Sequence, residues 1–356
     1  MTSGPLALLC YEDNLRTEDW NDINRQARGV VLDLEARRTV ARPFDKFFNL
    51  NEHPETHLEN LPRSGKFEAA IKYDGSMVTV FWHAGQVQVV TRGAFDNIQV
   101  AKAREILRDR HSNLQGPVLE ERTLVFELVS PELPNVVSYP NDELILTGIR
   151  DHRDGGMWSY SAVRTFAVEH GLGVLDIESG TLDAFAHRAK EEDLPDLTEG
   201  WVLRFENGHY VKLKRWQYVA HVKIDSLRLG NRHLTHRYCT STPAQWEELL
   251  ADLPACVRPA VAAWGHEVQG QIDAVAVLAA QRLEPFGAIS SAKDFAEAIR
   301  REIPSHWQPL MYILRSGKSA EPSIRKFYER FLPSVAQPPA VTPAMLREWA
   351  FEIKDV

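Results

Sequence analysis

Alternation of apolar and polar side chains over residues 67–92 is the feature that most limits how this chain can fold. β-Branched residues occupy many of the apolar positions, and residues 83–85 interrupt the alternation as a tight turn would. The pattern is typical of antiparallel strands joined by short connections. Further runs of this kind occur at 123–129, 144–150 and 200–216.

Helical signals lie between these runs, at 97–109 and 161–169, and they dominate after about residue 240. Thr242, Ser291 and Thr342 each provide a capping hydroxyl before an amphipathic stretch. We therefore expect an α+β protein, with an N-terminal domain of antiparallel sheets and flanking helices over residues 1–238. An all-helical C-terminal domain is expected over 239–356, with a proline- and alanine-rich connection at 333–343 before a short terminal helix.

Composition excludes several classes of protein. The three cysteines, Cys10, Cys239 and Cys256, are too widely spaced for a disulfide framework or a zinc site, so we expect reduced thiols. The first residues lack a basic leader and no stretch reaches bilayer length, which predicts a cytoplasmic protein without a membrane partner. A formal net charge of −8 argues against nonspecific coating of nucleic acid, although it allows a local basic groove.

Lys72 ends an apolar strand and is followed by Asp74 and Gly75 in a turn. Backbone amides in such a turn come close to whatever the lysine touches, which suits a phosphate. A lysine amine becomes a nucleophile only where burial, nearby cations or a metal favour its neutral form. Taken alone, the Lys-x-Asp-Gly sequence is weak evidence for such a site, since a solvated lysine in a hairpin turn gives the same pattern.

Candidates for that neighbourhood occur further along the chain. Lys212 and Lys214 are two residues apart after the hairpin turn at 207–208, so both amines project from one strand face. The alternative is the polar face of an edge strand, where lysines are common. Glu127 lies within the apolar run 124–129, where a carboxylate requires a partner such as a ribose hydroxyl, a lysine or a magnesium ion.

These elements together resemble the covalent nucleotidyltransferases, which include polynucleotide ligases and capping enzymes. The resemblance is carried by an ordered series, Lys72-x-Asp74-Gly75, Phe126-Glu127, Glu199-Gly200 and Lys212-x-Lys214. Residues 27–31 and 43–49 are similar to the RNA ligase 1 type of bacteriophages, and the resemblance covers about 8–218. It implies a nucleotidyltransferase (adenylyltransferase) domain in the first part of the chain.

The resemblance also implies roles for individual residues. Lys72 would carry AMP, and Glu199 would assist the metal and the nucleotide. Tyr11 matches a nucleotide-contacting tyrosine, Phe48 would pack by the pocket, and Gly75 would be small where the chain approaches ligand. Contacts to ATP or its phosphates are implied for Arg28, Lys46, Glu127, Lys212 and Lys214. Glu127 and Glu199 are the candidate ligands of Mg²⁺ or Mn²⁺.

The activity implied is that of an ATP-dependent RNA ligase, which joins an RNA 3′-hydroxyl to a 5′-phosphate through lysyl-AMP and an adenylylated RNA 5′ end. RNA repair is the expected setting, with cleaved tRNA a candidate substrate and a separate end-healing kinase-phosphatase a candidate partner. The alternatives are an mRNA capping guanylyltransferase, a DNA ligase, a noncatalytic RNA-end-binding protein and an interaction protein with a chance motif.

A path for RNA is expected over 212–237, where basic residues greatly outnumber acidic ones. A solvated charged surface is the alternative for any single arginine there. Trp246, Trp264 and Trp307 are expected in the core of the helical domain. The proposed path is made up of Lys214, Arg215, Lys223, Arg228, Arg232 and Arg237, with Trp216, Tyr218 and Tyr238 for stacking.

Overall fold

The computed structural model describes residues 1–12, 15–62, 66–190, 198–317, 320–331 and 339–346. Sheets occupy the first part of the chain and helices the last part, which confirms the α+β class. Contacts divide the described residues into two compact units, one up to Val219 and one from Ala220 onward. The domain boundary expected after residue 238 stays a prediction.

The strands and helices of the first unit follow the predicted order. Its strands are β1 (Thr2–Ser3), β2 (Leu6–Cys10), β3 (Arg28–Asp33), β4 (Arg38–Ala41), β5 (Phe48–Asn49), β6 (Phe67–Lys72), β7 (Ser76–His83), β8 (Gln86–Thr91), β9 (Arg122–Val129), β10 (Glu143–Asp151), β11 (Gly173–Val174), β12 (Ile177–Glu178), β13 (Gly200–Phe205) and β14 (Tyr210–Lys214). Its helices are α1 (Asp22–Gln26), α2 (Ile98–Arg110), α3 (Gly116–Leu119), α4 (Tyr160–Glu169) and α5 (Leu182–Arg188).

The strands form three sheets, two of which hold most of the candidate site residues described below. The sheet orders are β1-β2-β3-β4, β11-β10-β9-β7-β8 and β12-β6-β13-β14-β5. In the second sheet, β9 pairs antiparallel with both β7 and β10, as the alternating sequence predicts. Val78, Val80 and Phe126 are fully buried in its core, since β-branched and aromatic side chains pack well on a pleated surface.

The third sheet sets three lysines in register. Lys72 on β6 pairs with Gly200 on β13, and Gly200 pairs with Lys214 on β14. Two residues further along β13, Val202 pairs with Lys212. Residues paired across neighbouring strands share a face, so these lysines lie on the same face of the sheet. The opposite face is apolar and forms a separate core, with Ala69, Trp201, Leu203, Val211 and Leu213.

The hairpin between β13 and β14 lies where the sequence predicts, but its connection is Glu206, Asn207 and Gly208 rather than the expected two residues, since the Phe205 N–H donates to the backbone oxygen of His209 at 2.9 Å. Gly208 has a φ of +81°, a conformation that glycine adopts without steric cost. The register of β14 follows from this turn, and it places the two lysines on the face opposite the apolar core.

Helices make up the second unit. Thr242 caps the helix Pro243–Asp252 and Ser291 caps the helix Ala292–Glu302, as expected, and Trp246, Trp264 and Trp307 are buried. Cys10, Cys239 and Cys256 are not joined in disulfides within the described part of the chain. Most of the expected connection at 333–343, and the terminal helix beyond Leu346, lie outside the described residues. Within the part of the chain that the structure describes, no helix is long and apolar enough to cross a bilayer. The helices of the second unit are α6 (Trp216–Ser226, which begins in the first unit), α7 (Asn231–Thr240), α8 (Pro243–Asp252), α9 (Arg258–Leu283), α10 (Ala292–Glu302), α11 (Gln308–Arg315) and α12 (Glu321–Phe331).

Candidate active site

A cavity of about 300 Å³ brings together most of the residues singled out from sequence. Its volume is at the lower end of the range for small-molecule sites. Part of its wall is apolar, with Ala70, Met77, Leu175 and Val202, and can accept a nucleobase or sugar face. The predicted site residues that line it are Arg28, Lys72, Gly75, Glu127, Glu199, Lys212 and Lys214.

Lys72 and Lys214 are bridged by one carboxylate. Lys72 Nζ lies 2.7 Å from Glu199 Oε2, and Lys214 Nζ lies 3.2 Å from Glu199 Oε1. Glu199 is only 3% exposed, so the carboxylate is held away from water. Gly200 is required next to it, because a Cβ there would lie 2.1 Å from the backbone oxygen of Leu213. The arrangement places the candidate nucleophile directly against a buried acid.

Glu127 faces the same cavity from β9. The backbone N–H of Gly75 donates to Glu127 Oε1 at 3.2 Å, which ties the turn after Lys72 to the second sheet. Burial raises the pKa of Glu127 to about 7, an effect that Lys72 opposes and the charge of Glu199 reinforces. Gly75 must be small, since a Cβ there would lie 2.2 Å from the backbone oxygen of Leu128.

Cations without carboxylate partners occupy another part of the wall. Arg28 and Lys212 lie over the ring of Phe47, at 5.1 and 4.8 Å from its centroid. Neither has a carboxylate within ion-pair distance among the described residues. Burial lowers the pKa of Lys212 well below its usual value, and the nearby charges of Arg28 and Lys46 lower it further. A polyanion such as a triphosphate would satisfy both side chains.

Lys46, Phe48 and Tyr11 are not among the described residues that line the cavity. Lys46 Nζ pairs with Glu52 Oε1 at 3.4 Å and lies 4.8 Å from the ring centroid of Phe48. Phe48 is 2% exposed. Tyr11 accepts a hydrogen bond of 3.4 Å from Arg92. In this arrangement Lys46 is close enough to lower the pKa of Lys212, and Tyr11 close enough to interact with Arg28.

Asp74 is a residue whose importance sequence reasoning missed. Its carboxylate accepts hydrogen bonds from the Tyr218 hydroxyl at 2.8 Å and from the backbone N–H groups of Val136 and Val137 at 2.8 and 2.9 Å. These bonds fix the turn that follows Lys72. The signal was present in the motif itself, since an aspartate in a turn commonly bonds backbone amides.

The carboxylates present fit a divalent cation that arrives with a triphosphate. The described residues hold no cluster of three or more histidine, cysteine or acidic side chains suited to a metal. Glu127 and Glu199 offer carboxylate oxygens, although both oxygens of Glu199 contact lysines. Mg²⁺ is commonly held by one or two carboxylates together with water and substrate phosphates, and two carboxylates in this cavity suffice for that mode.

The expected RNA path within 212–237 is wrong for three members that directly follow β14, the basic residue Arg215 and the stacking residues Trp216 and Tyr218. Arg215 is 1% exposed and donates to Thr198 Oγ1 at 3.1 Å and to Gln217 Oε1 at 2.6 Å. Trp216 and Tyr218 are buried as well, so their rings are not available to stack on bases. The remaining members of the expected path, Lys223, Arg228, Arg232, Arg237 and Tyr238, lie in the second unit, and their contact with RNA stays a prediction.

This chain is similar in sequence to two proteins whose names include RNA ligase. A protein from Thermovibrio ammonificans named "Putative RNA ligase" is 36% identical over 209 residues, which is 56% of this chain and 53% of that protein. A "Putative bifunctional polynucleotide kinase/RNA ligase" of Autographa californica nuclear polyhedrosis virus is 28% identical over 99 residues, covering 26% of this chain and 14% of that one. The chain thus spans about half of the first relative's length and far less of the second.

Among solved structures, the Naegleria gruberi RNA ligase with PPi gives a TM-score of 0.37 at 16% identity, covering 46% of this chain and 52% of that one. A mutant of the same ligase with ATP and Mn gives a TM-score of 0.38 at 16% identity and the same coverage. The family model described as RNA ligase matches residues 26–227, which is more than half of the chain and includes every cavity-lining residue named above. This protein is therefore a member of the RNA ligase family.

Proposed function

We propose that the protein is an ATP-dependent RNA ligase in which Lys72 accepts AMP and passes it to the 5′-phosphate of an RNA end. The observation that carries the proposal is the pairing of Lys72 with buried Glu199 in a cavity that also holds Lys214 and Glu127. A solvated lysine in a chance turn would have no reason to be held against a buried carboxylate.

In the first step, Lys72 Nζ attacks the α-phosphorus of ATP. A phosphorus–nitrogen bond forms, the bond to the bridging oxygen breaks, and pyrophosphate leaves. Lys72 must first lose a proton, and Glu199 Oε2 at 2.7 Å is within reach to accept it. Lys214, Lys212 and Arg28 offset the charge that develops on the phosphates. Bound Mg²⁺ or Mn²⁺, held by Glu127 and Glu199, would supply Lewis-acid stabilisation of the same phosphates.

In the second step, an oxygen of the RNA 5′-phosphate attacks the phosphorus attached to Lys72, and the lysine nitrogen leaves and recovers a proton. In the third, the RNA 3′-hydroxyl gives up its proton to water and attacks the activated 5′-phosphate, and AMP leaves as the phosphodiester forms. Phosphoryl transfers of this kind depend mainly on positioning and on stabilisation of charge. Fixing the turn after Lys72 through Asp74 and Glu127 supports that positioning.

The RNA and its source extend the proposal. RNA ends that carry 5′-phosphate and 3′-hydroxyl groups are the expected substrates, with cleaved tRNA a candidate and RNA repair the setting. Helices of the C-terminal domain, residues 239–356, would contribute to the choice of RNA. A separate kinase-phosphatase would prepare the ends where they arrive unsuited to joining.

Intact mass spectrometry tests the first step. Purified protein freed of AMP is incubated with ATP and Mg²⁺, beside Lys72→Ala and beside protein given GTP. The expected result is a gain of one AMP that is absent in Lys72→Ala and absent with GTP. An adduct formed with GTP would indicate a capping enzyme, and no adduct with either nucleotide would leave an RNA-end-binding role. Joining of 5′-phosphorylated RNA compared with DNA strands then tests the polynucleotide class.

A further inference from the structure

Asn49 brings an unsatisfied acceptor to the cavity. Its side chain lines the cavity at the end of β5. Its amide nitrogen donates to Glu52 Oε2 at 2.7 Å, and its backbone N–H donates to the same oxygen at 2.5 Å. A carboxylate only accepts, so the nitrogen of the amide must face Glu52 and the carbonyl oxygen must face away. That oxygen, Oδ1, is buried and has no hydrogen-bond partner among the described residues.

Strand register places Asn49 beside the phosphate-binding lysines. β5 pairs in parallel with β14, with Asn49 opposite Lys212, and the backbone N–H of Leu50 donates to the Lys212 oxygen at 2.8 Å. Paired residues share a face, so Asn49 continues the row that Val202 and Lys212 form on the cavity side of the sheet.

The nearest cations do not satisfy the oxygen. Lys46 Nζ is directed to Glu52 Oε1 and to the Phe48 ring, and Lys212 Nζ lies over the Phe47 ring. A buried acceptor without a donor is destabilising unless something else donates to it. A ligand in the cavity is the group placed to do so.

We propose that Asn49 Oδ1 accepts a hydrogen bond from a ribose hydroxyl of the nucleotide bound in this cavity, an inference that rests on the proposed function. Ionised phosphates carry no donor. Ribose bears its phosphate directly, so its hydroxyls are the donors nearest to a phosphate held by Lys212, whereas amino groups of a base lie at the far end of a nucleoside. Two riboses meet this description, that of ATP and that of an RNA end.

Equilibrium binding tests the ATP source. Dissociation constants for ATP, 2′-deoxy-ATP and 3′-deoxy-ATP are measured by calorimetry in a Lys72→Ala background, with and without Asn49→Leu. We expect one deoxy analogue to bind about five- to tenfold more weakly than ATP when Asn49 is present. The difference should disappear in Asn49→Leu. Asn113→Ala, which changes an exposed asparagine outside the cavity, is the matched control and should keep the difference.

Strand joining tests the RNA source. Protein that has its native Lys72 and is preloaded with AMP is given acceptor strands that end in ribose or in 2′-deoxyribose. If this comparison responds to Asn49→Leu and the binding comparison does not, the hydroxyl belongs to the RNA. Asn49→Ala is carried in parallel, so that loss of folding in one variant does not decide the outcome.

The two levels of the proposal fail differently. The Asn49 assignment alone would be overturned if both Asn49 variants kept the ribose preference of protein with native Asn49, in ATP binding and in strand joining. Protein that binds no ATP and forms no AMP adduct would overturn the proposed function and the Asn49 assignment together.

Discussion

Lys214 and Lys212 lie two residues apart on one face of β14, yet their surroundings are opposite. Lys214 shares the carboxylate of Glu199 with Lys72. Lys212 lies over Phe47 with no carboxylate at ion-pair distance in the described part of the chain, and burial and neighbouring cations hold its pKa well below the usual value. The Lys214 end of the cavity, called the matched end below, thus has a carboxylate partner before any ligand arrives, whereas the Lys212 end, called the unmatched end, gains an anionic partner only when a ligand binds.

Breaking the matched end should have the largest effect. Glu199→Gln removes the carboxylate charge that Lys72 and Lys214 share, and we expect a loss of about 3 kcal/mol in the free energy of unfolding, because broken buried ion pairs leave uncompensated charge. The lysines are a fifth exposed, which keeps the loss at the lower end of the usual range. Urea unfolding measures it, with exposed Glu206→Gln as the control. A loss no greater than that of the control would show that the pairing has no effect on stability.

Ionisation of Glu127 should make the free energy of unfolding depend on pH. Its folded-state pKa of about 7 lies above the ordinary value of 4.5, so between those values the folded protein holds a proton that the unfolded chain has released. Stability contributed by this proton is present below pH 4.5 and is lost as pH rises through 7, a decrease of about 3 kcal/mol. Urea unfolding at pH 5, 6, 7 and 8 measures it. The decrease should be absent in Glu127→Gln, and equal pH profiles for the two proteins would contradict it.

Lys212→Met tests the unmatched end. Removing a cation that has no carboxylate at ion-pair distance among the described residues should leave the unfolding free energy of the ligand-free protein unchanged or higher, while ATP binding weakens by about 1.5–3 kcal/mol, since hydrogen bonds to charged groups are of that size. Lys214→Met should instead destabilise the ligand-free protein, because Glu199 loses one partner. Calorimetry and urea unfolding of both variants in a Lys72→Ala background separate the effects. Equal changes in the two variants would remove the distinction between the ends.

Tyr11→Phe should have the smallest effect. The hydroxyl accepts a long hydrogen bond from Arg92 and interacts with Arg28. Its removal is expected to weaken ATP binding by about 0.5–1 kcal/mol through a less restrained Arg28. Calorimetry in the same Lys72→Ala background measures the change. A loss as large as that of Lys212→Met would mean that the tyrosine contacts the nucleotide directly.

Sequence patterns predicted the framework of the site because strand period and turn chemistry are local properties. The alternation at 67–92 and the Asn207-Gly208 turn were enough to place Lys72, Lys212 and Lys214 on strands that the structure confirms. The bridging role of Glu199 was not predictable, since it depends on the pairing of β6 with β13 across more than a hundred residues.

Burial of charged and aromatic residues was the property least visible in sequence. Arginine is usually a surface residue, yet Thr198 and Gln217 provide hydrogen-bond acceptors that let Arg215 be buried. Trp216 and Tyr218 were assigned to base stacking because they alternate with basic residues, but Asp74 holds the Tyr218 hydroxyl inside the first unit. Such assignments need the tertiary partners, which no local pattern supplies.

The strand-end position of Lys72, Gly200 and Lys214 has a consequence for how chains of this kind can diverge. Deleting one residue within β6 or β14 would turn every side chain beyond it to the other face and move the amines into the apolar core. Loops between the strands carry no such requirement, and long insertions in surface loops are tolerated at little thermodynamic cost. Spacing inside each short motif is therefore rigid, while the lengths of chain between motifs are free to change.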